Sequence, residues 1–237
     1  MKRFLLVVVI ALAMVMLASV AAMAFTDDFS YDNGNLYGKG EWNKGGATSW
    51  ITVENGAVRI NGGDTGTGRT TGTLAASGML GLISIQMDVM GDGVGGSTSW
   101  GLNVDDISQA DPAGGTICRW YGTTNSARGR NDWVGVSTEQ ILTGTPTWDH
   151  LSLLIDTANT TAAFSCNGTL LGTVNYGSKT AANVAIGRIS FTQISNATGS
   201  GSIYFDNFSV TAVPEPSSLV ALGMFGLSAL GMIKRRK

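Results

Sequence analysis

Histidine and cysteine are scarce in this chain of 237 residues, and their scarcity removes whole classes of chemistry. With His150 as the one histidine and no Cys-x-x-Cys pair, the sequence spells out no His/Cys zinc site. The Gly-x-Ser-x-Gly turn that presents a catalytic serine is also missing, so we expect His150 to be structural or solvent-facing. The glycine-rich stretches precede neither a helix nor a Lys-Ser/Thr pair, which argues against a phosphate-binding loop.

Closely spaced carboxylates are lacking as well. A retaining glycosidase needs two carboxyl groups about 5–5.5 Å apart, which on one strand means acids at positions i and i+2. No two acids between residues 25 and 212 have that spacing, and the glutamates of that region are Glu41, Glu54 and Glu139. We therefore expect a protein that is not an enzyme. The alternative is a carbohydrate-active hydrolase or lyase whose carboxylates come from distant strands.

A long apolar run stands near the start of the chain. Lys2 and Arg3 precede the apolar residues 4–20, and the small residues Ala22 and Ala24 follow. This pattern is typical of a secretory signal peptide, so we expect the Sec translocon and signal peptidase as partners and cleavage after Ala24. The alternative is an uncleaved membrane anchor; in both cases the residues that follow leave the cytoplasm.

A second apolar run, residues 219–233, lies near the other end and precedes the basic residues 234–237. A helix of this run would be about 22 Å long, which is short for a hydrocarbon core of about 30 Å and suits a temporary transmembrane anchor. Basic residues flanking both runs should stay in the cytoplasm, which places the intervening domain outside. The alternative is a buried core helix, but this helix would have no polar face.

Pro214, Glu215 and Pro216 stand directly before this second run. Two prolines keep such a segment extended. The tripeptide, the apolar run and the basic cluster together resemble the PEP-CTERM sorting signal. That resemblance implies an exosortase-type processing enzyme as a partner, cleavage near Pro-Glu-Pro, and an inner-membrane intermediate. The destination it implies is the cell surface or extracellular matrix of a Gram-negative bacterium, often one that makes extracellular polysaccharide.

Three segments follow: a signal peptide at 1–24, one domain at 25–212 and a sorting tail at 213–237. The middle segment has nine basic and sixteen acidic residues, a net charge of −7. Its length suits a single β-sandwich. A negative domain with no basic run argues against nucleic acid as a partner.

The middle segment is a succession of short β-type runs separated by glycine, asparagine, aspartate and threonine clusters, without a helical period. This pattern predicts an all-β fold, an antiparallel β-sandwich of the jelly-roll type. Asn167-Gly168 predicts a hairpin with a type I′ turn. The predicted strands are 50–53, 57–60, 82–89, 99–104, 116–121, 151–155, 162–166, 169–174, 184–191 and 203–210.

Several short motifs in this segment resemble the concanavalin-A-like and laminin-G-like sandwich domains; they are Asp27-Asp28-Phe29-Ser30, Trp148-Asp149-His150-Leu151, Asn167-Gly168 and Tyr204-Phe205-Asp206-Asn207-Phe208. The resemblance implies that the first and last strands lie side by side. Asp27 or Asp28 would then approach Asp206 and help to hold a structural Ca²⁺, the one cofactor considered. The alternative is that these acids only cap strand ends and turns.

Six tryptophans are many for a glycine-rich chain, and aromatic rings offer sugars an apolar surface. We expect Trp50, Trp120 and Trp148 to be buried, because they lie in or beside strand patterns. The predicted glycan contacts, for which core packing is the alternative, are Trp42, Trp100 and Trp133 near loops, with Arg128 and Arg130 as hydrogen-bond donors. The sequence thus predicts an exported surface or matrix protein that binds polysaccharide or serves as a structural module.

Cys118 and Cys166 would enter a compartment that permits disulfides. A bridge also needs Cα atoms within about 7 Å of each other. The sequence leaves open whether these cysteines are bridged or free.

Overall fold

Every regular element in the computed structural model is a β-strand, within the residues it describes: 24–44, 51–61, 69–72, 79–92, 100–106, 116–130, 140–177, 185–193 and 201–213. These strands form two antiparallel sheets, which confirms the predicted sandwich. The expected signal helix and C-terminal helix lie outside the described residues. Over the ranges just given, no helix is both long and apolar enough to cross a membrane.

The first sheet has nine strands, numbered here along the chain. Its order is β14 (Thr169–Asn175), β13 (Thr161–Cys166), β12 (Asp149–Asp156), β7 (Leu82–Gly91), β16 (Ser202–Val213), β5 (Ala57–Asn61), β4 (Ile51–Glu54) and β2 (Gly34–Asn35), and β1 (Ala24–Asp27) also pairs with β16. The first and last strands therefore lie side by side, as expected, with Asp27 opposite Phe208.

The second sheet has seven strands. Its order is β11 (Gln140–Ile141), β10 (Ser126–Arg130), β9 (Thr116–Thr123), β8 (Trp100–Asp106), β15 (Ile186–Gln193), β6 (Arg69–Gly72) and β3 (Trp42–Lys44).

Alternation of apolar and polar residues explains how the strands of both sheets form the hydrophobic core. In β7, Ile83, Ile85, Met87 and Val89 are buried, while the residues between them are more exposed. Successive side chains of a strand point to opposite faces, so one face of each sheet packs inward. Rings from the two sheets meet there: Trp120 of β9 lies edge-on to Phe164 of β13, with 5.0 Å between ring centroids.

Two tight hairpins place their turn residues in the left-handed region. Asn167 and Gly168 have φ angles of 48° and 77°, and Asn55 and Gly56 have 52° and 79°. Positive φ at both central positions is the requirement of a type I′ turn, which confirms the hairpin predicted at Asn167-Gly168.

The described strands, from Ala24 to Val213, contain both sheets and the hydrophobic core between them. We call residues 24–213 the sandwich segment. Ala24, the residue before the expected cleavage point, is the first residue of β1 and pairs with Thr211. Cleavage there stays a prediction, and Ala22 lies outside the described residues.

Candidate functional site

The outward face of the seven-stranded sheet is polar and rich in arginine. Residues on alternate positions, such as Trp120 and Phe191, belong to the hydrophobic core, so their strand neighbours point away from it. We call this surface the arginine face. It comprises Asn103 and Asp105 of β8, Arg119 and Tyr121 of β9, Arg128 and Arg130 of β10, and Arg188, Ser190 and Thr192 of β15.

The strand register aligns these residues in rows across the sheet. One row runs through Arg130, Arg119, Asn103 and Ser190, and the next through Arg128, Tyr121, Gly101 and Thr192. The rows are two residues apart along each strand, a separation of about 7 Å. The arginine face therefore extends across four strands; its arginines and Tyr121 are partly exposed, whereas its other members are buried.

Tyr121 supports two of the guanidinium groups. The ring centroid lies 5.4 Å from the guanidinium carbon of Arg128 and 5.0 Å from that of Arg130. A cation over an aromatic face is attracted by the ring quadrupole. Tyr121 thus contributes to holding both guanidinium groups in place.

Gly129 explains how two outward arginines fit on β10. A Cβ atom added at Gly129 would lie 2.0 Å from Cγ of Phe164, whose ring fills the space beneath the strand. No real Cβ tolerates that distance, so the position between Arg128 and Arg130 requires glycine. Gly129 therefore allows Phe164 to pack in the core directly beneath the strand that carries Arg128 and Arg130.

Buried polar atoms without a partner lie in the middle of the arginine face. Asn103 and Ser190 are 1% and 0% exposed, although both point away from the hydrophobic core. Asn103 Nδ2 donates to Thr192 Oγ1 at 3.1 Å, but Asn103 Oδ1 and Ser190 Oγ have no hydrogen-bond partner in the described part of the chain. Nε of Arg128 is likewise buried without a hydrogen-bond partner among the described residues. Such atoms are costly unless something satisfies them.

An ion pair closes one end of the face. Arg188 Nε donates to Asp105 Oδ2 at 2.8 Å, and Thr116 Oγ1 donates to Asp105 Oδ1 at 2.7 Å. The Asp105 side chain is fully buried. Both carboxylate oxygens of Asp105 are therefore engaged, whereas Arg188 Nη2 is buried without a hydrogen-bond partner among the described residues.

The prediction that Trp42 and Trp100 contact glycan is wrong, because both rings are core residues, 1% and 0% exposed. Trp42 Nε1 donates to Asp27 Oδ2 at 2.6 Å, and Trp100 Nε1 donates to the Thr123 carbonyl oxygen at 2.9 Å. Both tryptophans lie in strands with their side chains directed into the core. The free energy gained by burying these apolar rings favours the core over the exposed loop position that the sequence suggested.

The predictions for the other tryptophans have different outcomes. Trp120 is buried, as expected, whereas Trp148, which we expected to be buried, is 37% exposed. Trp133 and Trp50 lie outside the described residues. Arg128 and Arg130 do share one surface, as the glycan prediction requires.

Asp27 serves the fold through three hydrogen bonds. Its Oδ1 accepts from the Phe29 backbone nitrogen at 2.8 Å, and its Oδ2 accepts from the Tyr31 hydroxyl at 2.9 Å as well as from Trp42. Asp28 caps the same turn by accepting from the Ser30 backbone nitrogen. Among the residues the structure describes, no group of three or more His, Cys, Asp or Glu side chains is placed to hold a metal ion.

Asp206 lies on the outer face of the nine-stranded sheet, directly opposite Asp88. Partial burial, with the nearby carboxylates of Asp88, Asp28 and Asp27, raises the pKa of Asp206. Asp88 Oδ1 lies 2.8 Å from Nδ1 of the exposed His150, so the histidine is solvent-facing as expected. His150 therefore lies on the opposite side of the sandwich from the arginine face.

Cys118 and Cys166 are separate, buried thiols, so the disulfide left open by the sequence is not formed. Cys118 lies in β9 of the seven-stranded sheet and Cys166 in β13 of the other sheet. Packed sheets are about 10 Å apart, farther than a disulfide spans. Burial, with a contribution from Asp105, raises the pKa of Cys118; burial and Asp149 raise that of Cys166 to about 11.

We expect the folded sandwich segment, purified without reductant, to react negligibly with a thiol reagent at neutral pH. Both thiols are buried and hold their protons, and the thiolate is the reactive form. In denaturant without reductant, the same sample should titrate two thiols per chain, as counted with Ellman's reagent. Titration of no thiol under denaturing conditions would instead mean that Cys118 and Cys166 are bridged.

Comparison with solved structures identifies the fold as a concanavalin-A-like jelly-roll sandwich. A sialidase superposes with a TM-score of 0.61 at 12% identity, over 80% of this chain and 18% of that one. Arcelin-5, a lectin-like defense protein from Phaseolus vulgaris, gives 0.53 at 8% identity, over 83% of this chain and 100% of that one. A family 7 alginate lyase A1-II′ variant, solved with substrate, gives 0.52 at 12% identity, over 72% and 85%. At these identities the likeness shows the fold alone.

Residues 212–237 match the model of the PEP-CTERM protein-sorting motif, which confirms that resemblance. The motif implies an exported protein that is sorted through a membrane-anchored step and processed by exosortase. Pro214, Glu215 and Pro216 fall within the matched residues, outside those the structure describes. No curated protein matches the chain.

Proposed function

We propose that this chain is a surface or matrix protein whose sandwich binds extracellular polysaccharide on the arginine face without cleaving it. The observation that carries the proposal is the group formed by Arg128, Arg130 and Tyr121, three partly exposed side chains on the outward face of the sheet whose guanidinium groups lie beside the aromatic ring. Hydroxyl groups of a sugar accept hydrogen bonds from guanidinium groups, and the apolar face of a sugar ring packs against an aromatic ring.

Two further observations support binding without catalysis. The chain's one histidine lies on the outer face of the other sheet, where it is unavailable as a general base at the arginine face. Asp105, the one acid that the described residues place on the arginine face, is engaged by Arg188 and Thr116. The structural neighbours include a lectin-like protein and an alginate lyase, which is compatible with a glycan ligand.

The test is titration calorimetry of the sandwich segment against a panel of neutral and acidic polysaccharides. The same mixtures are assayed for reducing sugar and for the ultraviolet absorbance of unsaturated lyase products. We expect saturable binding to at least one polysaccharide and no product. The panel is repeated with Ca²⁺ and with chelator, because structural calcium near Asp27, Asp28 and Asp206 stays a prediction.

A matched pair of variants locates the site. Tyr121→Ala removes the ring that supports two arginines and should weaken binding roughly tenfold. Tyr204→Ala removes a similar ring on the nine-stranded sheet, where Arg59 lies 5.9 Å from its centroid, and should leave affinity unchanged. Product release would favour the hydrolase or lyase alternative, and absence of saturable binding would favour a purely structural module.

A further inference from the structure

We propose that β16 is the strand that closes this fold, and that its pairing with β1 seals the bond after Ala24 against signal peptidase. The precursor, which is the chain that still carries residues 1–24, is then cut at this bond only before β16 is in place. This inference uses the cleavage predicted from the sequence and is independent of the proposed glycan site.

The position of β16 in the sheet is the first argument. β16 is the last strand along the described residues, yet it lies inside the nine-stranded sheet, with β7 on one side and both β5 and β1 on the other. Without β16, the described strands of this sheet fall into two groups, β14-β13-β12-β7 and β5-β4-β2, and β1 has no partner strand. A signal peptide leads the amino end of a chain across the membrane first. The partner of β1 is therefore delivered last, and the sheet is complete only then.

The contacts of β1 are the second argument. Ala24 and Phe25, which flank the bond predicted to be cut, are opposite Thr211 and Val210 in the strand register. The ring of Phe25 lies edge-on to that of Phe208, with 6.1 Å between the centroids. A bond in a paired strand is cut when the strand opens locally, and the rate of cutting then follows the population of the open form. Pairing with β16 therefore protects the bond between Ala24 and Phe25.

Asp27 strengthens this protection just beyond the bond. Its side chain is buried, and it accepts hydrogen bonds from Tyr31 and from Trp42 of the seven-stranded sheet. Opening β1 therefore breaks contacts with both sheets, and these contacts are added to the ladder of hydrogen bonds with β16.

The two processing sites differ in their relation to the fold, which is the third argument. The matched sorting motif begins inside β16, with Ala212 and Val213. Val213 still pairs with Leu82, whereas the next residue, Pro214, has no backbone N–H to offer a strand. Closure of the sheet thus covers the first site and stops short of the Pro-Glu-Pro tripeptide. The order that follows is cleavage after Ala24, placement of β16 and then processing of the tail.

The test is cleavage of the full-length precursor by a purified bacterial signal peptidase, with the products identified by mass spectrometry. The precursor is made without membranes, so that it keeps residues 1–24, and is folded in detergent. Its rate is compared with that of the chain truncated after residue 201, which keeps the cleavage site but lacks β16. We expect both to be cut after Ala24, and the folded precursor to be cut at least about 100-fold more slowly. The truncated chain should show no cooperative thermal unfolding.

A matched pair of core substitutions tests whether the opening is local. Phe208→Ala removes the ring that packs against Phe25 and should speed cleavage of the folded precursor about tenfold. Phe164→Ala removes a ring that packs against Trp120, away from β1, and should leave the rate within about twofold. Thermal unfolding verifies that both variants are folded. If either is not, the comparison of the unsubstituted precursor with the truncated chain decides.

Several outcomes would overturn this inference. Cleavage of the folded precursor as fast as the truncated chain would mean that β16 seals nothing. Equal acceleration by the two substitutions would show that the bond is exposed by global unfolding and not by opening of β1. A cut at another bond, or no cut in the truncated chain, would remove the predicted cleavage after Ala24. Cooperative unfolding of the truncated chain would show that the fold closes without β16. Each of these results leaves the test of glycan binding unaffected.

Discussion

Trp42→Ala should lower the free energy of unfolding of the sandwich segment by about 3–5 kcal/mol. The ring of Trp42 packs against Phe29, Phe191 and Phe208, with centroid distances of 5.8, 5.3 and 5.5 Å. These partners come from the turn after β1 and from both sheets, so one substitution opens a cavity where the sheets meet. It also leaves Asp27 without its indole donor.

The matched control for Trp42→Ala is Trp148→Ala, since Trp148 is a partly exposed tryptophan directly before β12. We expect this control to change the free energy of unfolding by less than about 1 kcal/mol. Urea titrations monitored by circular dichroism would measure both variants. Equal effects of the two substitutions, or a glycan-binding defect in a fully stable Trp42→Ala protein, would contradict the core position of Trp42.

Asp27→Ala is the second substitution with a large expected effect, a loss of about 2–4 kcal/mol in the free energy of unfolding. The carboxylate is buried and accepts hydrogen bonds from Trp42, Tyr31 and the backbone of Phe29. Its removal leaves the indole nitrogen of Trp42 buried without an acceptor. Because Asp27 lies in β1, which pairs with β16, the loss should loosen the contact between the two ends of the segment.

The neighbouring Asp28→Ala is the control for Asp27→Ala. Asp28 is exposed and accepts a hydrogen bond from the Ser30 backbone nitrogen at 3.1 Å, so we expect a loss of no more than about 1 kcal/mol. Asp27→Asn should fall between the two alanine variants, because it keeps the shape but not the charge. Denaturant unfolding in the absence of Ca²⁺ measures all three. Equal stability of the two alanine variants would refute the role assigned to Asp27.

The sequence predicts the fold well where strands alternate strictly. Apolar residues stand at each second position of β7 from Ile83 to Val89 and of β12 from Leu151 to Ile155, and two Asn-Gly pairs supply the positive φ angles of tight turns elsewhere. These signals are local, because each depends on residues adjacent in the chain. Local pattern is enough to predict two antiparallel sheets.

The candidate site was harder to predict because it depends on strand pairing. β10 reads Ser-Ala-Arg-Gly-Arg, which lacks the β-branched and aromatic residues typical of strands, and it was not among the predicted strands. Its glycine is required by Phe164, which is distant in sequence. The pairing of β10 with β9 places Tyr121 beside Arg128, and a pattern of residues adjacent in the chain does not predict that contact.

The tryptophan predictions failed for a related reason. Trp42 and Trp100 stand beside glycine and asparagine in the sequence, which resembles a loop, but their direction is set by the sheet to which each strand belongs. The resemblance to known sandwiches did predict the pairing of the first and last strands. It did not predict that Asp27 would bind Trp42 and Tyr31.

The central claim is that the arginine face binds the glycan, and the most direct test is nuclear magnetic resonance of the arginine Nε–H groups. The sandwich segment contains six arginines, so six resolved signals can be assigned by single substitutions. On titration with an oligosaccharide of the polysaccharide that binds best in the panel, we predict that the signals of Arg119, Arg128 and Arg130 shift with one shared affinity while that of Arg59 does not. Shifts confined to Arg59, or no shift at Arg128 under saturating binding, would place the glycan elsewhere and contradict the account.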